Sequence, residues 1–256
     1  MLYELYFSPT GGTKKAADYI ADGFGLDVTP INFFEKSTDL SLLKLTEKDI
    51  VVIAAPCFGG RAPAIAINLI SKLKGNGAKA VAVAVYGNRA TEDQLAEMQD
   101  VLYQCGFTVV AGIEALAEHS LGREICKGRP DANDKKVLGG FGSQIKEAIE
   151  NNKINRNLKL PGNRPYKPLP APAASVPIDV DNEKCIHCGT CSVQCPQDAI
   201  PEDNLTETNP ALCISCMHCT VVCPTGARRE TEAKSAGVIR KLSEMCPEAK
   251  ENKLYL

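Results

Sequence analysis

The chain lacks a surplus of positive charge, a long apolar run and any tryptophan. Its 256 residues carry 29 Lys and Arg against 31 Asp and Glu, a net charge of −2. Nothing global therefore points to nucleic acid or to an anionic membrane surface. Without a long apolar run there is no candidate for a bilayer-spanning helix. The opening stretch Met1-Leu2-Tyr3-Glu4-Leu5-Tyr6-Phe7 is acidic rather than basic and too short for an export signal. No lipidation motif closes the chain. The expectation is a soluble, cytoplasmic protein with no nucleic-acid partner and no stable membrane insertion. With no Trp, stacking on any flat ligand falls to Phe or Tyr.

Cysteine is what the chain has in excess: twelve residues, eight of them between Cys185 and Cys223. A small secreted protein would use such a set for disulfides; in a reducing cytosol the thiols stay available for metal. The run Cys185-x2-Cys188-x2-Cys191-x3-Cys195-Pro196 recurs as Cys213-x2-Cys216-x2-Cys219-x3-Cys223-Pro224, offset by 28 residues at each of the four positions. This is the bacterial spacing for two [4Fe–4S] clusters, in which the fourth Cys of each run ligates the other cluster. Cys185, Cys188, Cys191 and Cys223 are expected to hold one cluster, and Cys213, Cys216, Cys219 and Cys195 the other. Structural zinc is the competing assignment. A zinc knuckle needs only four ligands and gives no reason for two identical runs each ending in Cys-Pro. His187 and His218 fall at spacer positions, as loop residues or as tuners of potential through hydrogen bonds near sulfur. Ligation supplies much of the folding energy of so short a segment.

Residues 1–152 alternate β-rich runs (2–7, 28–32, 50–55, 80–85 and 107–113) with helical candidates starting near Thr13, Pro63, Thr91 and Asn133. The third and fourth runs are almost wholly apolar, as strands covered on both faces are. Pro63 suits a first helical turn, and Thr91-Glu92-Asp93-Gln94 has the form of a capping box. The alternation implies a parallel, doubly wound sheet of five strands. Residues 153–177 hold six prolines and five bases (Lys153, Arg156, Lys159, Arg164, Lys167), with no acid from 153 to 167. They read as an extended linker, either a solvated connector or a strap docking the acidic module that follows. Residues 178–230 form that cluster-binding module; from 176 to 230 there are eight acids and three bases. Residues 231–256 are expected to be a helical tail, with Val238, Ile239, Leu242 and Met245 as an apolar stripe.

After the first strand comes Ser8-Pro9-Thr10-Gly11-Gly12-Thr13, then a helix start, which together make an anion site. Neither the Walker pattern nor G-x-G-x-x-G occurs here. A Ser/Thr-rich loop without Lys suits a terminal phosphate monoester, a plain capped turn being the alternative. Pro56-Cys57-Phe58-Gly59-Gly60-Arg61-Ala62-Pro63 follows the third strand and Tyr86-Gly87-Asn88-Arg89 the fourth. All three loops lie at the carboxyl ends of strands, where doubly wound sheets bind ligands. Glycines permit close backbone approach to a flat ring, and Phe58 and Tyr86 offer aromatic faces. Cys57 is read as small apolar packing; Cys105, Cys126 and Cys246 receive no role.

Residues 8–13 match the flavodoxin phosphate loop, S/T-x-T-G-x-T. With the two later loops, Glu118-His119-Ser120, Gly128-Arg129-Pro130-Asp131, Leu160-Pro161-Gly162-Asn163-Arg164-Pro165-Tyr166 and the double cysteine run, the chain resembles the EFR-type flavodoxin–ferredoxin fusion family along essentially its whole length. The resemblance implies a flavodoxin-like five-stranded α/β unit joined to an α+β bacterial ferredoxin-like domain. It also implies FMN, two [4Fe–4S] clusters and electron transfer in anaerobic metabolism. By position, Ser8, Thr10, Gly11, Gly12 and Thr13 would bind phosphate; Pro56, Phe58, Gly59, Gly60, Tyr86, Gly87 and Asn88 would meet the ring. His119 is either a satisfied hydrogen-bonding residue or a flavin-edge contact. The expected function is a relay from FMN through the clusters to partner redox proteins, reached through the acidic surface. The alternative is an FMN-dependent reductase of a small organic substrate fed by its own clusters, with His119, Arg61 and Arg89 as the visible proton donors. A redox sensor would call for an output domain, and none is evident.

Overall fold

The computed structural model describes residues 1–169 and 178–256, apart from the side chains of residues 232–234 and 238. Pro170, Pro172 and Pro177 of the linker, and Val238 of the expected stripe, lie outside that description. Strands β1 (Leu2–Tyr6), β2 (Val28–Asn32), β3 (Ile50–Pro56), β4 (Lys79–Tyr86) and β5 (Thr108–Leu116) alternate with helices α1 (Gly12–Asp22), α2 (Ala64–Ile70), α3 (Gln94–Gln104) and α4 (Ala132–Glu150). The five strands pair in parallel in the order β2-β1-β3-β4-β5. Every residue of β3 is buried and all but the first of β4, because helices cover both faces of the sheet. One apolar layer gathers Phe7, Phe33, Ile53 and Leu95; the other gathers Ile20, Phe24, Val83 and Leu138. Where α1 crosses α4, a Cβ on Gly23 would stand 2.0 Å from the Gly139 carbonyl oxygen. That close approach requires glycine.

The expected capping box at residues 91–94 does not form. Thr91 donates to Glu114, Gln94 donates to the Ala55 carbonyl (2.9 Å), and the N-cap Asp93 makes no side-chain cap. Asp93 grips the linker instead, accepting from the backbone of Asn163 (2.7 Å) and Lys167 (2.8 Å), while the Pro161 carbonyl receives the Ala96 N–H of α3 (3.1 Å). Tertiary contact supplies the cap instead of the local sequence. The true capping box stands at α4, between Asp131 and Asp134.

The same contacts correct the reading of the linker. Residues 158–167 lie along the first unit, with Leu158 and Leu160 in its core. Arg164 pairs with Asp100 (2.7 Å) and Lys167 with Glu92. These bases serve α3 and its N-terminal turn, not the acidic module.

That module begins with β6 (Ile178–Val180), antiparallel to β7 (Arg228–Glu230). Between them the 28-residue repeat is reproduced in the backbone. Helix α5 (Thr190–Val193) matches α6 (His218–Val221), and the left-handed pairs His187/Ser215 and Gly189/Met217 recur at the same offset.

The tail departs from a simple helix. Helix α7 (Glu232–Met245) is followed by β8 (Lys253–Tyr255), a sixth strand antiparallel to β5 at the sheet edge. Asn252 reinforces it, accepting from the Leu116 N–H and donating to Asp134, both at 2.7 Å. The chain thus leaves the sheet, builds the cysteine module and returns to the sheet. Among the described residues no helix is long and apolar enough to cross a membrane.

Candidate functional site

A cavity of about 640 Å³ opens at the carboxyl ends of β1, β3, β4 and β5. Its volume falls within the range of cofactor sites, and it lies where the strand order reverses. Thr10, Gly12 and Thr13 line it from the first loop, Pro56, Phe58 and Gly59 from the second, Tyr86 and Gly87 from the third, and His119 from beyond β5. Nine of the thirteen residues expected at a flavin share this one space.

The first loop fits a phosphate. Gly11 is the N-cap of α1 at φ 91°, without a side-chain cap. Ser8 does not line the cavity; its hydroxyl accepts the Lys14 N–H at 2.9 Å and so shapes the turn. The first-turn N–H groups at Gly12 and Thr13 border the cavity, with the positive end of the helix dipole behind them. No lysine or arginine is needed to attract the anion.

The ring-side loops are held by packing. A Cβ on Gly87 would fall 2.4 Å from the His119 ring, so glycine is what lets the β4 loop meet the imidazole. His119 is tied through Nδ1 to the Leu121 backbone, and burial lowers its pKa below the ordinary histidine value. It is a neutral, hydrogen-bonded wall residue. The Cys57 thiol lies 3.4 Å from the Ala90 carbonyl, and burial pushes it up to about 12; it stays protonated and packs. Gly60, at φ 93°, accepts the Asp93 N–H through its carbonyl (3.0 Å), and a Cβ there would strike Glu92. It serves the loop and not the cavity.

Asn88 is the clear departure. It is 1% exposed, and its amide donates to the carbonyls of Glu248 (2.9 Å) and Cys246 (3.4 Å) while accepting the Lys250 N–H (2.8 Å). Both ends of the amide are engaged by the tail, so Asn88 anchors residues 246–250 and does not face a ring.

The cysteines gather into two loose cages; among the described residues no three side chains converge closely enough to grip a metal ion as they stand. Cys185, Cys188, Cys191 and Cys223 line a single enclosed space, the crossed set expected from the repeat. Cys195 lies close enough to Cys213, Cys216 and Cys219 to act on the charge of each; Cys191 of the first set also acts on Cys219. Backbone N–H groups reach the sulfurs of Cys195 (from Ala199, 3.3 Å) and Cys213 (from Ser215, 3.4 Å). Such bonds are the usual lever on cluster potential. Burial pushes Cys216 and Cys219 up to about 12, so a bound metal cation would be needed to hold them as thiolates.

What spacing could not reveal is how the two sites meet. Gln197, Leu212, Cys213, Ile214, Ser215 and Cys216 line the same cavity as the phosphate loop, and Leu242 of α7 joins them. His218, between two cage cysteines, bonds through Nδ1 to the Pro9 carbonyl (2.7 Å) and rests edge-on against Phe34, with ring centroids 4.5 Å apart. Lys36 pairs with Asp198 across the same seam. The second cage is therefore a wall of the cavity.

These observations define a class: a flavodoxin-like α/β unit carrying a ferredoxin domain. Residues 178–200 and 206–229 match the 4Fe-4S binding domain family. Among solved structures the first unit is similar to a flavodoxin from the domain Archaea (19% identical, 58% of this chain and 98% of that one, TM-score 0.42). It is also similar to a Streptococcus pneumoniae TIGR4 flavodoxin (22% identical, 58% and 99%, TM-score 0.42). A third likeness is the Fusobacterium nucleatum flavodoxin solved with flavin mononucleotide bound (15% identical, 60% and 98%, TM-score 0.39). No curated protein matches the chain.

Proposed function

We propose that the protein is an electron-transfer relay of the EFR-type fusion kind. It would hold one FMN in the cavity and two [4Fe–4S] clusters in the cysteine cages, exchanging electrons with partner redox proteins in the cytoplasm. The observation that carries this reading is the shared wall: the 213–216 loop of one cage borders the cavity that the phosphate loop opens. A bound flavin supplies a site that takes two electrons and releases them singly, while each cluster carries one. The chain's own residues position and shield. The first turn of α1 would hold the phosphate, Phe58 and Tyr86 would flank the ring, and Leu212, Ile214 and Leu242 would keep water out between the two sites.

The reductase alternative draws less support from the side chains around the cavity. Arg89 pairs with Glu92, Glu118 with Arg123 (2.5 Å), His119 with Leu121, and Arg61 with Glu97 (2.5 Å). Arg61 and Arg89, two of the three donors considered for it, are held in ion pairs, and the third, His119, is engaged through Nδ1. The direct test is the content of anaerobically purified protein. About eight iron, eight sulfide and one FMN per chain is the expected result, as two cubanes require. Full clusters with no uptake of added FMN would overturn the flavin assignment, and zinc in place of iron would overturn the cluster assignment.

A further inference from the structure

Resting on that relay reading, we infer that the two cages are not equivalent. The second is the inner station against the flavin cavity, and the first is the outlet, where a redox protein with a basic rim around its cofactor docks. The cavity includes Cys213 and Cys216, whereas the space enclosed by Cys185, Cys188, Cys191 and Cys223 shares no residue with it. Cys188 is exposed, and the apolar side chains beside the cage face solvent: Ile186 is 64% exposed and Val193 65%. Elsewhere in the module Val221 is 49% and Leu212, which borders the cavity, 44% exposed, both less than this pair, while Ile200 is covered at 4%. An exposed apolar pair over a redox centre, ringed by charge, has the anatomy of a transient docking face.

The charge of that ring selects the partner. Glu202, Asp203 and Glu207 are exposed on the loop that carries Leu205, and Leu205 itself lines the first cage. Arg228 fastens this loop by donating to the carbonyls of Leu205 (2.6 Å) and Glu207 (2.9 Å). Glu183 adds a fourth exposed acid beside Cys185. A basic rim is the complement that steers encounter to this face. Each productive encounter moves one electron outward, oxidising the first-cage centre by one and reducing the acceptor by one, with no bond made or broken.

The test uses the full chain, purified anaerobically with its iron, sulfide and FMN counted, reduced by dithionite and mixed in stopped flow with ferric cytochrome c as a basic one-electron acceptor. Reversing the ring (Glu202→Lys, Asp203→Lys, Glu207→Lys) should slow the second-order rate about tenfold at low salt and flatten its dependence on ionic strength. Reversing two exposed acids of the flavodoxin-like unit, Asp27→Lys and Glu47→Lys, should leave the rate unchanged. Val193→Glu should slow it at all salt concentrations. Electron paramagnetic resonance of each reduced variant checks that both clusters persist; should reversal disturb the loop, the set Glu202→Gln, Asp203→Asn, Glu207→Gln should give an intermediate rate. Equal slowing by both reversals, or no slowing by the ring, would overturn the outlet. So would a dimer that Val193→Glu dissolves, since the face would then belong to a second copy. Missing FMN or clusters in the counted protein would strike the relay reading itself; intact cofactors with ring-independent rates would strike only the outlet.

Discussion

Asn88 occupies a loop where ring contacts are expected, yet its amide joins the β4 loop to residues 246–250 by three hydrogen bonds. Asn88→Ala should therefore behave as a stability mutation. Stranding buried carbonyls and an N–H costs about 2–3 kcal/mol, readable as a lowered denaturation midpoint, with the absorption spectrum of bound flavin unchanged. A shifted flavin spectrum with unaltered stability would instead make Asn88 a ring contact. Glu4 offers a second single-residue test. It is 3% exposed, its Oε1 has no hydrogen-bond partner, and burial, with Asp18 nearby, raises its pKa to about 8. Between the ordinary carboxylate range and pH 8 the folded state thus holds a proton that the unfolded chain releases. Its contribution to stability is present at low pH and falls as pH rises through that window. Glu4→Gln should flatten the fall between pH 5 and 8 and raise the melting temperature at pH 8. A variant as pH-sensitive as the parent would place the titration elsewhere.

At the scale of elements, β8 and the segment before it return the chain to the sheet. β8 pairs with Gly112–Glu114 of β5, and Asn252 caps the contact at Leu116 and Asp134. Ending the chain at residue 246 would remove the strand, leave the β5 edge and the Leu116 N–H without these partners, and take two of the three partners of the Asn88 amide. It would also free α7, whose Leu242 borders the cavity. The expected outcome is FMN released about tenfold faster, the equivalent of about 1.4 kcal/mol, together with a lower melting temperature. Unchanged retention would mean that α7 holds its place through its own contacts with the loop after β5, such as Ile239 against Gly122.

Across the whole molecule, stability is unevenly divided. The sheet unit has two extensive apolar layers, whereas the cysteine module has two three-residue strands and two four-residue helices. So small a core depends on its metal. Stripping iron with a chelator under denaturant-free conditions should expose residues 181–227 to protease while the β1–β5 sheet stays protected. Loss of protection in both units together would show that the seam at His218, Lys36 and the tail makes the two one cooperative body.

The double cysteine run, the α/β alternation and most of the loop residues that line the cavity were legible in the amino-acid order, because each depends on chemistry local to a few residues: ligand spacing, strand-like apolar runs, glycines at turns. The missing capping box at 91–94, the partners of Arg164 and Lys167, the strand that follows the tail helix and the true partners of Asn88 were not legible, for a common reason. Each concerns a polar group whose partner lies far away in sequence, Thr91 with Glu114 or Asn88 with residues 246–250. A buried amide or carboxylate takes whichever partner the tertiary structure brings within reach. By itself the sequence determined the ligand spacing of the cysteines and the strand–helix alternation; folding decided which cage faces the cavity, because that follows from how distant surfaces pack and not from the spacing of ligands.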